Sequence, residues 1–205
     1  VVATDGHRLA WSSCKIKTDF TDEKIIIPRK SALELQKLLN LYPENVNIAF
    51  NSNQLKVFSD EYTFISKLIE GSYPDYEKVF PKGTEQKLKA NKSLVQTALN
   101  RAAVLSNEKY RGVKFILEKD NLKICANNPS KESAEEEVLV EYSGDSFEIG
   151  FNISYVQESL SVISNNEVEF VFFGSENSCL VKNIDDESLI HVIMPMRLWS
   201  VSYTH

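Results

Sequence analysis

The feature that most constrains this chain is a pattern that recurs three times, a helix followed by three short strands. Leucines at helical spacing predict the first helix from Ser31, its capping residue, and the other two helices are predicted from about Asn91 and Ser154. The strands of the first block are predicted over residues 46–50, 55–58 and 64–69. An internal repeat of this kind indicates stacked or pseudo-symmetric units and argues against one irregular domain.

The second and third blocks also have a short strand before the helix. The strands of these blocks are predicted over residues 87–90, 113–117, 122–126, 136–141, 147–151, 168–172, 179–181 and 189–194. Apolar residues at helical spacing define the faces expected to be buried, which are Leu94, Val95, Ala98, Leu99 and Ala102 in the second helix and Val156, Leu160 and Ile163 in the third. The three blocks therefore have one local architecture.

Turn signals indicate where the domains begin and end. Residues 2–11 predict a β-hairpin with its turn at Asp5 and Gly6, and the strand predicted over residues 25–27 stops at Pro28. Residues 71–76 form a turn or linker, so we predict one domain over residues 1–75, a second over 76–198 and a tail over 199–205. Since Val1 already lies in a strand-like segment, we expect the first domain to be incomplete and the chain to belong to a longer protein.

Composition excludes several classes of protein. The 205 residues carry 23 basic and 29 acidic side chains, and the net charge of −6 argues against a simple basic nucleic-acid binder. The glycines do not form a phosphate-binding motif, the three histidines do not form a zinc motif, and no apolar run is long enough to span a bilayer. The three cysteines, Cys14, Cys125 and Cys179, are far apart and odd in number, so we expect buried thiols in a reducing compartment.

Five segments, in order along the chain, carry a resemblance to a known family. They are residues 3–10 (ATDGHRLA), 71–76 (GSYPDY), 103–113 (AVLSNEKYRGV), 126–129 (ANNP) and 192–198 (VIMPMRL). Together they resemble the bacterial DNA polymerase III beta sliding clamps, and the similarity covers about residues 1–198. The resemblance implies an α+β DNA-clamp fold with antiparallel sheets outside and helices toward a DNA bore. It also implies that the chain corresponds to the later part of the second of three domains and to all of the third.

The function that this resemblance implies is that of a processivity factor in the bacterial cytoplasm. A homodimeric ring would encircle duplex DNA without sequence preference and tether the DNA polymerase III alpha subunit, the clamp-loader delta subunit and other proteins with a clamp-binding motif. The family has no catalytic activity of its own, so no cofactor, metal or membrane is expected. Because the first domain supplies the partner surface in the family, this chain by itself is expected to be largely monomeric.

Three sets of site residues follow from the resemblance. The cleft for partner peptides with Gln, Leu and Phe anchors would be lined by Thr4, Gly6, His7, Arg8, Leu9, Pro74, Lys78, Val79, Val192, Ile193, Met194, Pro195, Met196 and Arg197. The residues expected to face DNA are Arg29 and Lys30 before the first helix, Lys37 on it, and Lys92 and Arg101 on the second helix. The subunit interface would include Val104, Leu105, Glu132, Glu135 and Glu136.

The family often has arginine at the position of Lys78. Without the resemblance, the segment 194–196 would be an ordinary strand end and the charged residues ordinary solvated surface.

A second function class remains open on the residues alone. Asp5 and His7, with Asp19 and Asp22 downstream, are residue types that a hydrolytic enzyme uses for metal binding or acid–base chemistry. The hairpin turn explains Asp5 and Gly6 without any such chemistry. A bound metal near His7 would favour the enzyme, and binding of a Gln/Leu/Phe peptide without turnover would favour the clamp.

Overall fold

The computed structural model describes residues 1–16, 23–42, 45–107, 111–130, 132–184 and 186–197. The chain divides into two compact units. The larger unit comprises residues 1–15 and 77–205, and the smaller unit comprises residues 16–76. The tail predicted over residues 199–205 lies outside the described residues, as does Leu198.

The hairpin and the first repeat block supply the first elements along the chain. They are β1 (Val2–Thr4), β2 (Arg8–Ser12), α1 (Arg29–Leu41), β3 (Asn47–Phe50), β4 (Gln54–Phe58) and β5 (Thr63–Lys67). A 3-10 helix spans Tyr76–Val79. The second and third blocks supply β6 (Gln86–Asn91), α2 (Lys92–Val104), β7 (Gly112–Glu118), β8 (Asn121–Asn127), β9 (Ser133–Leu139), β10 (Glu141–Tyr142), β11 (Phe147–Asn152), α3 (Ile153–Val162), β12 (Glu167–Phe172), β13 (Cys179–Asn183) and β14 (Asp186–Ile193). The repeated helix-and-three-strands pattern is confirmed.

The smaller unit is one helix and an antiparallel sheet of order β3-β4-β5. Leu55 and Val57 on the central strand are its buried apolar residues among those described, and α1 has no buried residue. The prediction that Ser31 caps α1 was wrong, because the helix begins at Arg29 directly after Pro28, whose φ of −58° suits the residue before a helix. The Ser31 hydroxyl instead accepts a hydrogen bond from Ser66, at 2.7 Å. Residues 25–27 do not form a strand of the sheet, although the Ile26 carbonyl accepts a hydrogen bond from the Ile69 amide.

The larger unit has two antiparallel sheets, of order β1-β2-β14-β13-β12-β6-β10 and β11-β7-β8-β9. Its core contains four phenylalanines, each no more than 2% exposed: Phe115, Phe151, Phe170 and Phe172. The Phe115 ring meets the Phe151 ring edge to face, with 5.4 Å between the centroids. The β1–β2 hairpin is part of this compact unit, where β2 pairs with β14.

Both helices of the larger unit pack one face into this core. Val95, Ala98, Leu99 and Ala102 are buried on α2, and Ile153, Val156, Ser159 and Leu160 are buried on α3. An asparagine caps each helix, since the side-chain oxygens of Asn91 and Asn152 accept hydrogen bonds from the amides of Leu94 and Ser154. Leu94 was also predicted on the buried face, but its side chain is half exposed because it precedes that stripe by one residue.

Two further expectations need correction. The strand predicted over residues 136–141 divides into β9 and β10, which belong to different sheets. Of the three cysteines, only Cys179 is buried, while Cys125 is half-buried and Cys14 is exposed. Burial raises the pKa of the Cys179 and Cys125 thiols above the ordinary value. No helix in the described part of the chain has the length and apolar character needed to cross a bilayer.

Candidate functional site

The β1–β2 turn supplies the first part of the candidate site. Gly6 has a φ of +87°, which glycine adopts without strain, and the turn places Thr4 and Arg8 on either side of it. The Thr4 hydroxyl donates to the Arg8 carbonyl at 2.7 Å and accepts from the Gly6 amide at 3.2 Å. One Asp5 carboxylate oxygen accepts from the amides of His7 and Arg8. The Thr-Asp-Gly sequence therefore fixes this turn through its own side chains.

The end of β14 supplies the second part. Val192 pairs with Leu9, and Ile193 pairs with Arg8. The Met194 amide then donates to the His7 carbonyl at 3.0 Å, and the Met196 amide donates to the Gly150 carbonyl of β11 at 2.8 Å. The segment 194–196 thus passes from the edge of the hairpin turn to the four-stranded sheet, and the structure brings together two sets of predicted cleft residues that are distant in sequence.

Burial divides these residues into a base and an exposed rim. Leu9, Val192 and Ile193 are at most 2% exposed and form the base. The side chains of Met194, Pro195 and Met196 are half-buried, and Thr4, Gly6, His7 and Arg197 are exposed. An apolar segment with two adaptable methionines therefore lies beside polar groups of the turn, which suits an extended peptide with apolar anchors.

Arg8 is held by groups that the sequence did not predict. Its Nε donates to Asp5 Oδ2 at 3.0 Å, one terminal nitrogen donates to Glu158 Oε2 at 2.7 Å, and the guanidinium lies 4.4 Å from the Tyr155 ring centroid. Burial disfavours the charge on Arg8, but the hydrogen bonds that Arg8 donates to Glu158 and Asp5 outweigh this effect and raise the Arg8 pKa. Partial burial acts to raise the Asp5 pKa, yet the hydrogen bonds from His7 and Arg8 lower it below the ordinary value. Tyr155 and Glu158 are three residues apart on α3, so helical spacing was the signal that could have paired them.

His191 lies on β14 next to this arrangement, on the strand that pairs with β2. Its Nε2 atom is buried and has no hydrogen-bond partner among the described residues. Burial and the Arg8 charge lower the His191 pKa below the ordinary value. The imidazole therefore favours the neutral form beside the charged Arg8.

The remaining cleft candidates come from the segment near the boundary between the units. Pro74 belongs to the smaller unit and is exposed. Lys78 and Val79 lie in the 3-10 helix Tyr76–Val79, where Lys78 is exposed and Val79 is half-buried.

The five cations predicted to face DNA differ in what holds them. Arg29 and Lys30 are exposed and lie in the first turn of α1, not before it as predicted. Lys37 pairs with Glu34 at 2.9 Å on the same helix. The Lys92 ammonium donates to the Ile163 carbonyl at 2.6 Å, and Arg101 forms a two-bond ion pair with Glu136. Three of the five charges thus have partners within their own unit.

The predicted interface residues lie at the C-terminal end of α2, on the edge strand β9 and, in the case of Glu132, directly before that strand. Val104 is an apolar side chain that is 80% exposed. Glu132 accepts from the Asn128 side chain at 2.6 Å, and Glu135 is exposed. Arg101 and Glu136, which the sequence assigned to two different surfaces, meet each other, and the pair raises the Arg101 pKa.

The residues of the alternative enzyme do not form a metal-binding group in the described part of the chain. No three His, Cys, Asp or Glu side chains there come close enough together to hold a metal ion. Asp5 is committed to the turn and to Arg8, and Asp19 and Asp22 lie outside the described residues.

Comparison with known proteins gives one consistent result. Residues 77–197 match the family model described as the DNA polymerase III beta subunit, C-terminal domain, and residues 1–75 match the model of its central domain. The chain is 44% identical over 198 residues to the beta sliding clamp of Pseudomonas aeruginosa, which covers 96% of this chain and 54% of that protein. The chain therefore spans about half the length of the curated relatives it matches.

Solved structures agree with the sequence comparison. The crystal structure of the DNA polymerase III subunit beta from Pseudomonas aeruginosa superposes with a TM-score of 0.93, at 44% identity and over 96% of this chain and 54% of that one. A Pseudomonas aeruginosa sliding clamp bound to griselimycin superposes with a TM-score of 0.92 at the same identity and the same coverage of both chains.

Proposed function

Because this chain belongs to the DNA polymerase III beta subunit family and has its α+β clamp fold, we propose that it is part of a sliding clamp. In this function the whole protein is a non-catalytic processivity factor of the bacterial cytoplasm. It forms a homodimeric ring around duplex DNA and tethers the DNA polymerase III alpha subunit, the clamp-loader delta subunit and other partners. The family membership, which spans 96% of the chain, is the observation that carries this proposal.

The candidate site supports the part of this function that needs a partner peptide. The half-buried segment 194–196 runs between the hairpin turn and β11, and its amides are anchored on both sides. The peptide would lie along this segment with its apolar anchors against Met194 and Met196, while His7 and Arg197 supply exposed polar contacts. Many related partners fit such a wall because methionine side chains repack at little cost.

DNA and subunit contacts belong to the same proposal. Arg29, Lys30 and Lys37 are exposed cations on α1, and a few such phosphate contacts give a weak attraction without sequence preference, which suits sliding. The exposed Val104 and the acidic strand β9 would form the subunit interface with Leu105.

The peptide site is tested most directly by calorimetry. Replacing both Met194 and Met196 by alanine is expected to weaken binding of a Gln/Leu/Phe peptide by about 1–3 kcal/mol, the scale for truncating buried apolar anchors. Leu94→Ala is the matched control, because it removes a half-exposed apolar side chain from α2, a helix that contains no predicted cleft residue. Equal affinity of the double variant and the wild type would show that the cleft lies elsewhere.

A further inference from the structure

We propose that Glu158 is a specificity-determining residue of the candidate site, because it holds Arg8 in place and gives the cluster of Asp5, Arg8 and Glu158 a net negative charge that disfavours an acidic peptide residue beside that cluster. The proposal rests on the peptide-binding function proposed above. It concerns a residue of α3 that lies outside the predicted cleft set.

The geometry shows that Glu158 and Asp5 act on Arg8 in different ways. The turn fixes Asp5, since its carboxylate also accepts hydrogen bonds from the amides of His7 and Arg8. Glu158 is 62% exposed and reaches Arg8 from a helix 150 residues away in sequence. The contact fastens the hairpin to α3 and keeps the guanidinium over the Tyr155 ring. A partly exposed ion pair of this kind contributes little to folding, so its effect is expected on binding.

The charges around Arg8 do not cancel. One guanidinium faces two carboxylates, those of Asp5 and Glu158, and the neighbouring groups, Tyr155 and the neutral form of His191, add no charge. The cluster of Asp5, Arg8 and Glu158 therefore has a net charge of −1 beside the His7 end of the segment 194–196, while Arg197 adds a separate positive charge after the other end of that segment. At about 7 Å and an effective dielectric constant of about 40–80, one unit charge changes an affinity by about three- to eightfold.

The test uses two series of Gln/Leu/Phe peptides in which one non-anchor residue at a time is lysine or aspartate. The wild type is expected to bind the lysine peptide more tightly at the position nearest Arg8. In Glu158→Gln the affinity for the lysine peptide should fall and the affinity for the aspartate peptide should rise, each about three- to eightfold at low salt, so the ratio of the two at that position should fall about ten- to sixtyfold. Because a Debye length is about 3 Å in 1 M salt, the difference between the two proteins should disappear there.

Two further variants isolate the charge of Glu158. Glu158→Asp keeps the charge and should keep the wild-type ratio. Glu118→Gln makes the same charge change at an ion pair with Lys123 on the β7–β8 hairpin, and it should leave the ratio unchanged. Thermal unfolding of each variant establishes that the fold is intact.

The outcomes separate this proposal from the function on which it rests. If the wild type bound none of the peptides, the peptide-binding function and this proposal would both be overturned. If the peptides bound but Glu158→Gln kept the wild-type ratio at every position, or Glu118→Gln changed the ratio equally, the role of Glu158 alone would be overturned. A selective fall of the ratio in Glu158→Gln supports it.

Discussion

The larger and the smaller unit use the same local pattern and bury it to very different extents. In the larger unit, α2 and α3 each bury four residues against two sheets, and four phenylalanines fill the core. In the smaller unit, α1 carries leucines at the same spacing and buries none of its residues, and Leu33 and Leu39 remain exposed. A helical apolar stripe therefore predicts which face a helix turns inward, whereas burial depends on what packs opposite that face.

The largest difference between the units is expected from matched leucine truncations. Leu99 on α2 is fully buried, and Leu99→Ala should lower the free energy of unfolding of the larger unit by about 2–5 kcal/mol, since it removes apolar contacts and leaves a cavity. Leu38→Ala on α1 removes the same atoms from a half-buried site. It should lower the free energy of unfolding of the smaller unit by about 1 kcal/mol or less. Amide hydrogen exchange, read separately in β12–β14 and in β3–β5, measures the free energy of unfolding of each unit. Similar losses from the two substitutions would contradict the comparison.

A second substitution measures how tightly the larger unit is packed. A Cβ atom on Gly144 would lie 2.6 Å from the Tyr142 hydroxyl and 2.7 Å from Gln86 Oε1. The Tyr142 hydroxyl bonds to Gln86 and to the Asp145 carbonyl, so Gly144→Ala would displace a hydrogen-bonded group at the β6–β10 pair. We expect destabilisation of about 1–3 kcal/mol by urea denaturation, the usual range for overpacking.

The neighbouring Ser143→Ala provides the control, because Ser143 is exposed and should tolerate the change. A Gly144→Ala variant as stable as the wild type would show that this corner of the larger unit relaxes freely.

The sequence predicted most of the fold because its signals are local. Alternating strands, helical stripes and the Asp5-Gly6 turn are set by neighbouring residues, and all three helices and the hairpin are present. The errors lie where non-local contacts decide. Ser31 could cap a helix by residue type, but the helix starts at Arg29 and the Ser31 hydroxyl bonds to Ser66, which is 35 residues away.

The candidate site was predictable only in part for the same reason. The turn and the segment 194–196 have distinctive residues, so the resemblance identifies them, and the strand register then brings them together. Tyr155 and Glu158 have no sequence motif, and their contact with Arg8 depends on how α3 packs beside β2. The Arg101–Glu136 pair was missed because the two residues were assigned to separate surfaces.

A pH experiment distinguishes the units through their histidines. The smaller unit, residues 16–76, contains no histidine, whereas His191 in the larger unit has a pKa lowered by burial and by Arg8. In the unfolded chain His191 has the ordinary pKa of 6.5, so it takes up its proton at a higher pH than it does in the folded unit. The larger unit should therefore lose stability as the pH falls below 6.5, and the loss should stop below the pKa of His191 in the folded unit. The slope is at most about 1.4 kcal/mol per pH unit. His191→Gln should remove this component in pH-dependent urea unfolding, and an unchanged slope would show that His191 is not its source.

The smallest expected effect concerns the hydrogen-bond partners of the carbonyl groups at the ends of helices in the two units. In the larger unit the Lys92 ammonium, at the start of α2, donates to the carbonyl of Ile163 at the end of α3, while α1 in the smaller unit has no basic residue in its last turn. Lys92→Met keeps the aliphatic stem but removes the charged donor, so the larger unit should lose about 1 kcal/mol, the net value of one hydrogen bond. Lys30→Met removes the same charge at an exposed site on α1 and should lower the free energy of unfolding by less.

Because Lys92 was predicted to face DNA, salt-dependent binding of a DNA duplex should be measured on both variants. If Lys92→Met left stability unchanged and weakened DNA binding more than Lys30→Met, Lys92 would be a phosphate contact and not a helix cap.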